Sequence, residues 1–107
     1  MTSDTSILQT PPTLEMLRVH RDEIIAIAQR HKAHNVRVFG SVARGDATVG
    51  SDIDLLVDFE SGTSLFDLSG LWQDLTEFLG CQVEVLSDHP GMRDRLRKRI
   101  MRDVVLL

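Results

Sequence analysis

The 107-residue sequence predicts an α/β fold, and three observations carry that prediction. Apolar residues recur at helical spacing near the N-terminus, again between Ser64 and Leu79, and again from Met92 onward. Short runs rich in branched side chains separate these segments, as strands would. Gly, Asn, Asp and Ser collect at the junctions, where the chain must turn. The resulting order is helix, strand, short helix, strand, helix, strand, helix.

Each element has its own signal. Residues 1 to 10 are polar and aperiodic, which predicts a loose N-terminal tail and leaves 11–107 as a single domain. From Pro12, the positions Leu14, Leu17, Ile24, Ile27 and Ala28 trace a helical stripe that runs to Ala33, with a break near His20. His34-Asn35 reads as the stop, because asparagine tolerates the left-handed conformation. Val36 to Phe39 and Asp52 to Val57 are the next two strands. A short helix lies between them, starting at the Gly40-Ser41 turn and ended by Gly45. Leu65, Leu68, Leu71, Trp72, Leu75 and Phe78 form the apolar stripe of one amphipathic helix, which assigns Trp72 to the core. The run Cys81 to Leu86, bounded by Gly80 and Ser87-Asp88, reads as a strand. Met92, Leu96, Ile100 and Val104 recur every four residues on a final helix. Its remainder is basic, with Arg93, Arg95, Arg97, Lys98, Arg99 and Arg102 supplying six of the twelve Lys and Arg residues. That face reads as solvated; the alternative is a docking surface for an acidic partner or nucleic acid.

Composition narrows the class. Hydrophobic residues make up 42% and charged residues 26%, as in an ordinary globular protein. A net charge of −4 does not favour general nucleic-acid affinity. The single cysteine, Cys81, has no internal disulfide partner, no signal peptide is apparent, and no apolar stretch approaches the length of a membrane span. A cytoplasmic location is expected. His20, His31, His34 and His89 lack zinc-ligand spacing; His31 and His34 fall near a helix end, where a favourable dipole interaction accounts for them.

The chemistry concentrates in Val38-Phe-Gly-Ser-Val-Ala-Arg-Gly-Asp46 and Ser51-Asp-Ile-Asp-Leu-Leu-Val57. On a strand, residues i and i+2 share a face about 7 Å apart, so Asp52 and Asp54 direct two carboxylates to one region. Such a pair calls for a cation, and Mg²⁺ suits it because it takes one or two carboxylates and completes its shell with water and phosphate oxygens. Gly40 lets the backbone approach an anion, while Ser41 and the start of the short helix supply donors. Arg44 can offer a guanidinium fork to a phosphate. Glu84, between Val83 and Val85, is the candidate third carboxylate; the competing reading places it on a solvated edge face. Asp58 reads as a cap in the polar turn that ends its strand, and Asp46 is left unassigned.

Gly40, Ser41, Arg44, Gly45, Asp52 and Asp54 together resemble the signature of the DNA polymerase beta-type nucleotidyltransferase superfamily, and more narrowly of the minimal nucleotidyltransferase (MNT) family. The similarity runs from about Leu14 to the C-terminus. It implies a nucleotidyltransferase fold with a small mixed sheet and flanking helices, using ATP and two Mg²⁺ ions. It implies Asp52, Asp54 and Glu84 as metal-binding and catalytic carboxylates, with Gly40, Ser41 and Arg44 on the nucleotide phosphates. The family typically holds Asp where this chain has Glu84. Members of the family act as antitoxins that transfer AMP to a tyrosine hydroxyl of a HEPN ribonuclease toxin, and this chain contains no tyrosine of its own. Two other functions stay open at this level. One is an antitoxin that works by occlusion alone. The other is adenylylation of a small molecule such as an aminoglycoside, against which the lack of an added acceptor domain argues.

Overall fold

A computed structural model describes residues 10–107, so all but the last position of the expected N-terminal tail lies outside the described residues. The stripe from Leu14 to Ala28 forms two helices, α1 (Leu14–Val19) and α2 (Arg21–Arg30), broken at His20 as the sequence predicts. Thr13 caps α1 by accepting the Met16 amide at 3.0 Å. Leu17, Ile24, Ile27 and Ala28 are buried.

α2 stops at Arg30, earlier than the expected Ala33, because Lys32 takes a positive φ of 64°. Strand β1 then begins at Ala33 and runs to Phe39. Asn35 does adopt the left-handed conformation, with φ 54°, yet it does so inside the strand. Four residues of β1, His34 to Arg37, span the step that three residues, Asp58 to Leu56, take on the neighbouring strand, so Asn35 is the extra residue of a β-bulge. The bulge resets the pleat, and Ala33 and Val36 are both buried although they are three positions apart.

The short helix α3 (Gly40–Arg44) leads through a loop to β2 (Ile53–Phe59), then α4 (Leu65–Leu79), β3 (Val83–Ser87), α5 (Asp94–Asp103) and β4 (Val105–Leu106). The strand order is β3-β2-β1-β4, with β2 parallel to β3 and the other pairings antiparallel. This is the mixed sheet with flanking helices that the sequence predicts. β4 is an addition, because two residues carry no readable period; it adds Val105 and Leu106 to the free edge of β1.

Alternation along the central strand β2 divides the protein into layers. Ile53, Leu55 and Val57 join the main core with Val38, Leu17, Ile24, Leu71 and Leu75 from the strand and helices around them. Asp54, Leu56 and Asp58 face the other way, where Leu56, Phe39 and Ile100 form a second cluster beneath α5. Asp58 is therefore no strand-end cap. It lies within β2, accepting from Arg37 at 2.6 Å and from Asn35 at 2.9 Å. Burial raises its pKa, but the Asn35 bond and the Arg37 charge outweigh that and hold the carboxyl below its usual range. Arg37 also reaches Asp88, which in turn pairs with Arg97 on α5.

α4 starts at a capping box in which Ser64 and Asp67 satisfy each other's backbone amides. Its stripe is only half buried. Leu71 and Leu75 are core, whereas Leu65 is 81% and Trp72 43% exposed. Trp72 is a strut at the helix surface, its Nε1 donating to the Val83 carbonyl at 2.7 Å. His31 caps the C-terminal end of α2, the helix-end position the sequence predicts, and its Nε2 also lies 2.7 Å from Asp74, joining α2 to α4. No helix among the described residues is long and apolar enough to cross a membrane.

Candidate active site

The site forms where β1 ends, and the sheet register assembles it. Phe39 pairs with Asp54 across the antiparallel ladder, and Glu84 pairs with Asp54 across the parallel one. Hydrogen-bonded neighbours lie about 5 Å apart, so two carboxylates distant in sequence become adjacent. Glu84 is exposed on an edge strand, as one of the two readings has it, and lies beside Asp54, where the other needs it.

Gly40 follows Phe39 with φ 74°. A Cβ at this position would land on Asp54 Oδ2, so only glycine permits the backbone to lie against this carboxylate. Gly45, with φ 84°, ends α3 as expected. In the following loop the Ser51 hydroxyl accepts the Thr48 amide at 2.9 Å, which fixes the approach to Asp52.

Asp52 falls one residue short of β2 and is exposed, whereas Asp54 is partly buried in the central strand. The two are not equivalent. Burial, reinforced by the charges of Glu84 and Asp52, pushes the Asp54 carboxyl up to about 6 against the opposing pull of Arg44. A carboxylate held this close to like charges is stabilised by a cation, and this is the observation that fits Mg²⁺ to the site. No three His, Cys, Asp or Glu side chains among the described residues make a ready-formed metal cage. Mg²⁺ is ordinarily held by one or two carboxylates together with substrate phosphates, so the donor set still suits it.

Two cavities meet at these carboxylates. One, of about 440 Å³, is lined by Gly40, Ser41, Arg44, Asp54 and Glu84 on the sheet side. Its other wall is α5, which contributes Leu96, Arg99, Ile100, Arg102 and Asp103. The second, of about 620 Å³, lies toward α4 and is lined by Asp52, Glu84, Leu65, Leu68 and Trp72. Both volumes fall in the range of small-molecule sites. The structure thus brings Gly40, Ser41, Arg44, Asp54 and Glu84 to one cavity, with Asp52 opening onto the other.

Arg44 is engaged within the chain. It donates to Asp103 at 3.0 Å and to Asp46 at 3.2 Å, and these partners raise its pKa. Sequence reasoning finds Arg99 and Arg102 only as part of a basic helix face. The signal that could have singled out Arg99 is its place in the row 96, 99, 100, 103, the face of α5 turned to the sheet; Arg102 lies outside that row, and no periodicity marks it.

Three comparisons with known proteins show the family and the fold. The nucleotidyltransferase domain family matches residues 21–107. The protein adenylyltransferase MntA of Thermococcus cleftensis is 33% identical over 90 residues, covering 84% of this chain and 87% of that protein. A solved structure of a protein provisionally identified as a minimal nucleotidyltransferase is 44% identical, with a TM-score of 0.77, covering 90% of this chain and 97% of its own. At the level of fold alone, a Shewanella oneidensis complex of a tri-AMPylated HEPN toxin with an MNT antitoxin aligns with a TM-score of 0.63 at 18% identity, covering 83% of this chain and 69% of that one.

Proposed function

We propose, since this chain belongs to the nucleotidyltransferase domain family, that it is an antitoxin transferring AMP from ATP to a tyrosine hydroxyl of a cognate HEPN-type ribonuclease toxin. The observation that carries the chemistry is Asp54, held in the central strand in register with Glu84 and against Gly40, with its carboxyl raised by burial and by the crowding of negative charge. The protein acceptor is supported by the name of the Thermococcus relative and by the AMPylated toxin in the Shewanella complex. With no tyrosine in this chain, a tyrosine acceptor belongs to another one.

In this reading, with Glu84 beside them as the base, Asp52 and Asp54 would hold two Mg²⁺ ions. When bound, they neutralise the phosphates and make the acceptor hydroxyl easier to deprotonate. Gly40 and Ser41 present backbone and hydroxyl donors to the β and γ phosphates, with Arg44 beside them in the same cavity. The acceptor oxygen forms a bond to the α-phosphorus, the bond from that phosphorus to the bridging oxygen breaks, and pyrophosphate carries the electron pair away. The hydroxyl proton passes to Glu84, the carboxylate common to both cavities. In-line displacement puts attacking and leaving groups on opposite sides of the phosphorus. With pyrophosphate on the Gly40 side, the acceptor enters from the α4 side, past Trp72 and the exposed Leu65.

The test is to incubate the protein with ATP, Mg²⁺ and its co-encoded partner and to weigh the partner by intact-mass spectrometry. A gain of one or more adenylyl groups, lost in the Asp52→Asn, Asp54→Asn double variant, supports transfer. A tight complex with no gain in mass replaces it with neutralisation by occlusion.

A further inference from the structure

We infer that Arg99 and Arg102 of α5, rather than Arg44, are the principal grip on the terminal phosphates of the nucleotide. The inference rests on the nucleotidyltransferase reading of the cavity and assigns its remaining wall.

Ile100 is the pivot. It is 3% exposed and packs with Phe39 and Leu56, which fixes the rotation of α5 about its axis. Two ion pairs fix the helix near its ends, Arg97 to Asp88 and Asp103 to Arg44. With the helix so held, Arg99 and Arg102, three residues apart and therefore on neighbouring rows, line the cavity opposite Asp54 and Glu84.

The charges around the cavity then separate by role. Arg44 already has two carboxylate partners, and to grip a phosphate it must exchange them. Neither Arg99 nor Arg102 has a carboxylate within 4.0 Å among the described residues. Guanidinium groups left without partners on one wall, facing carboxylates on the other, match a metal-bound polyphosphate: the cation side meets the acids and the free phosphate oxygens meet the arginines. On the basic face of α5, Arg99 and Arg102 line the cavity, whereas Arg95, one turn earlier on the helix, does not.

The test is equilibrium binding of ATP, tripolyphosphate and AMP to the full chain in Mg²⁺, by calorimetry. Arg99→Ala and Arg102→Ala should each weaken ATP and tripolyphosphate binding by roughly tenfold, as expected for loss of a charge-assisted contact, while AMP binding changes little. Arg44→Ala should cost less than either, and Arg95→Ala, outside the cavity, should bind as wild type. Arg99→Lys and Arg102→Lys keep the charge and should retain part of the affinity, which separates charge from folding. ATP affinity unchanged in the Arg99→Ala, Arg102→Ala double variant overturns the assignment, and so does an equal loss for ATP and AMP. If that double variant binds ATP normally but no longer forms the partner complex, α5 is a protein-docking face and the nucleotide reading stands. If wild type binds neither ATP nor tripolyphosphate, the nucleotide reading falls with the inference.

Discussion

Replacing Asp54 with asparagine should abolish transfer and stabilise the metal-free protein. The carboxyl titrates at about 6 in the fold against an ordinary 3.8, so the folded state binds more protons than the unfolded chain between these values. Stability therefore falls as pH rises through that window, and the full penalty is present above it. At about 1.36 kcal/mol per pH unit, the gap sets a ceiling of about 3 kcal/mol. One side of Asp54 opens to the solvent-filled cavity, so screening reduces the expected penalty to about 1–2 kcal/mol. The asparagine side chain has nearly the same shape and no charge, and the Asp54→Asn variant should recover that amount at pH 7.5 in EDTA, seen as a higher midpoint in urea with an unchanged slope. Near pH 3.5 both forms are neutral at this position and the gain should vanish. Mg²⁺ should raise the midpoint of wild type and have a smaller effect on the variant. Equal or lower stability of Asp54→Asn at pH 7.5 without metal would refute the argument that crowded negative charge strains this position.

Three other perturbations test the scaffold. Gly40→Ala forces a Cβ onto Asp54 Oδ2 at a positive φ, and should cost about 2 kcal/mol or more together with transfer activity, read from thermal melting and the mass assay. Arg37→Ala leaves Asp58 and the nearly buried Asp88 without their shared cation, and should destabilise by about 2–4 kcal/mol in urea; a loss under about 0.5 kcal/mol would show the network to be inert. Ser64→Ala opens the capping box of α4 and should cost about 1 kcal/mol, with fraying of the first helical turn visible as faster amide exchange near Leu65.

How much of the site is legible depends on whether its parts are local in sequence. Gly40, Ser41, Asp52 and Asp54 lie within one strand-turn-strand passage, so their types and spacing announce a phosphate turn beside paired carboxylates. Glu84 can be named as a candidate, but its partnership with Asp54 is a matter of sheet register. Asn35 tolerates the left-handed conformation as its residue type suggests, yet it serves a strand and does not stop a helix, because a bulge and a helix end ask the same of a residue. Trp72 fits the apolar stripe by period, but it stands where the stripe leaves the core and reaches Val83 instead.

The sequence by itself determined the α/β class, most element positions, the family signature and the carboxylates that carry the proposed chemistry, because periodicity and short motifs are properties of neighbouring residues. Only the tertiary structure decided that Asp54 and Glu84 share a register, that Asp52 opens onto a separate cavity, and that Arg99 and Arg102 face the site while Arg44 is paired with Asp103. Each of these depends on how a strand or helix is rotated and seated against its neighbours. Burial of Leu56, Ile100 and Phe39 in one layer seats α5, and burial of Val83 and Val85 with Ile53, Leu55 and Leu71 in the main core seats β3 and α4, contacts between segments that no local pattern encodes.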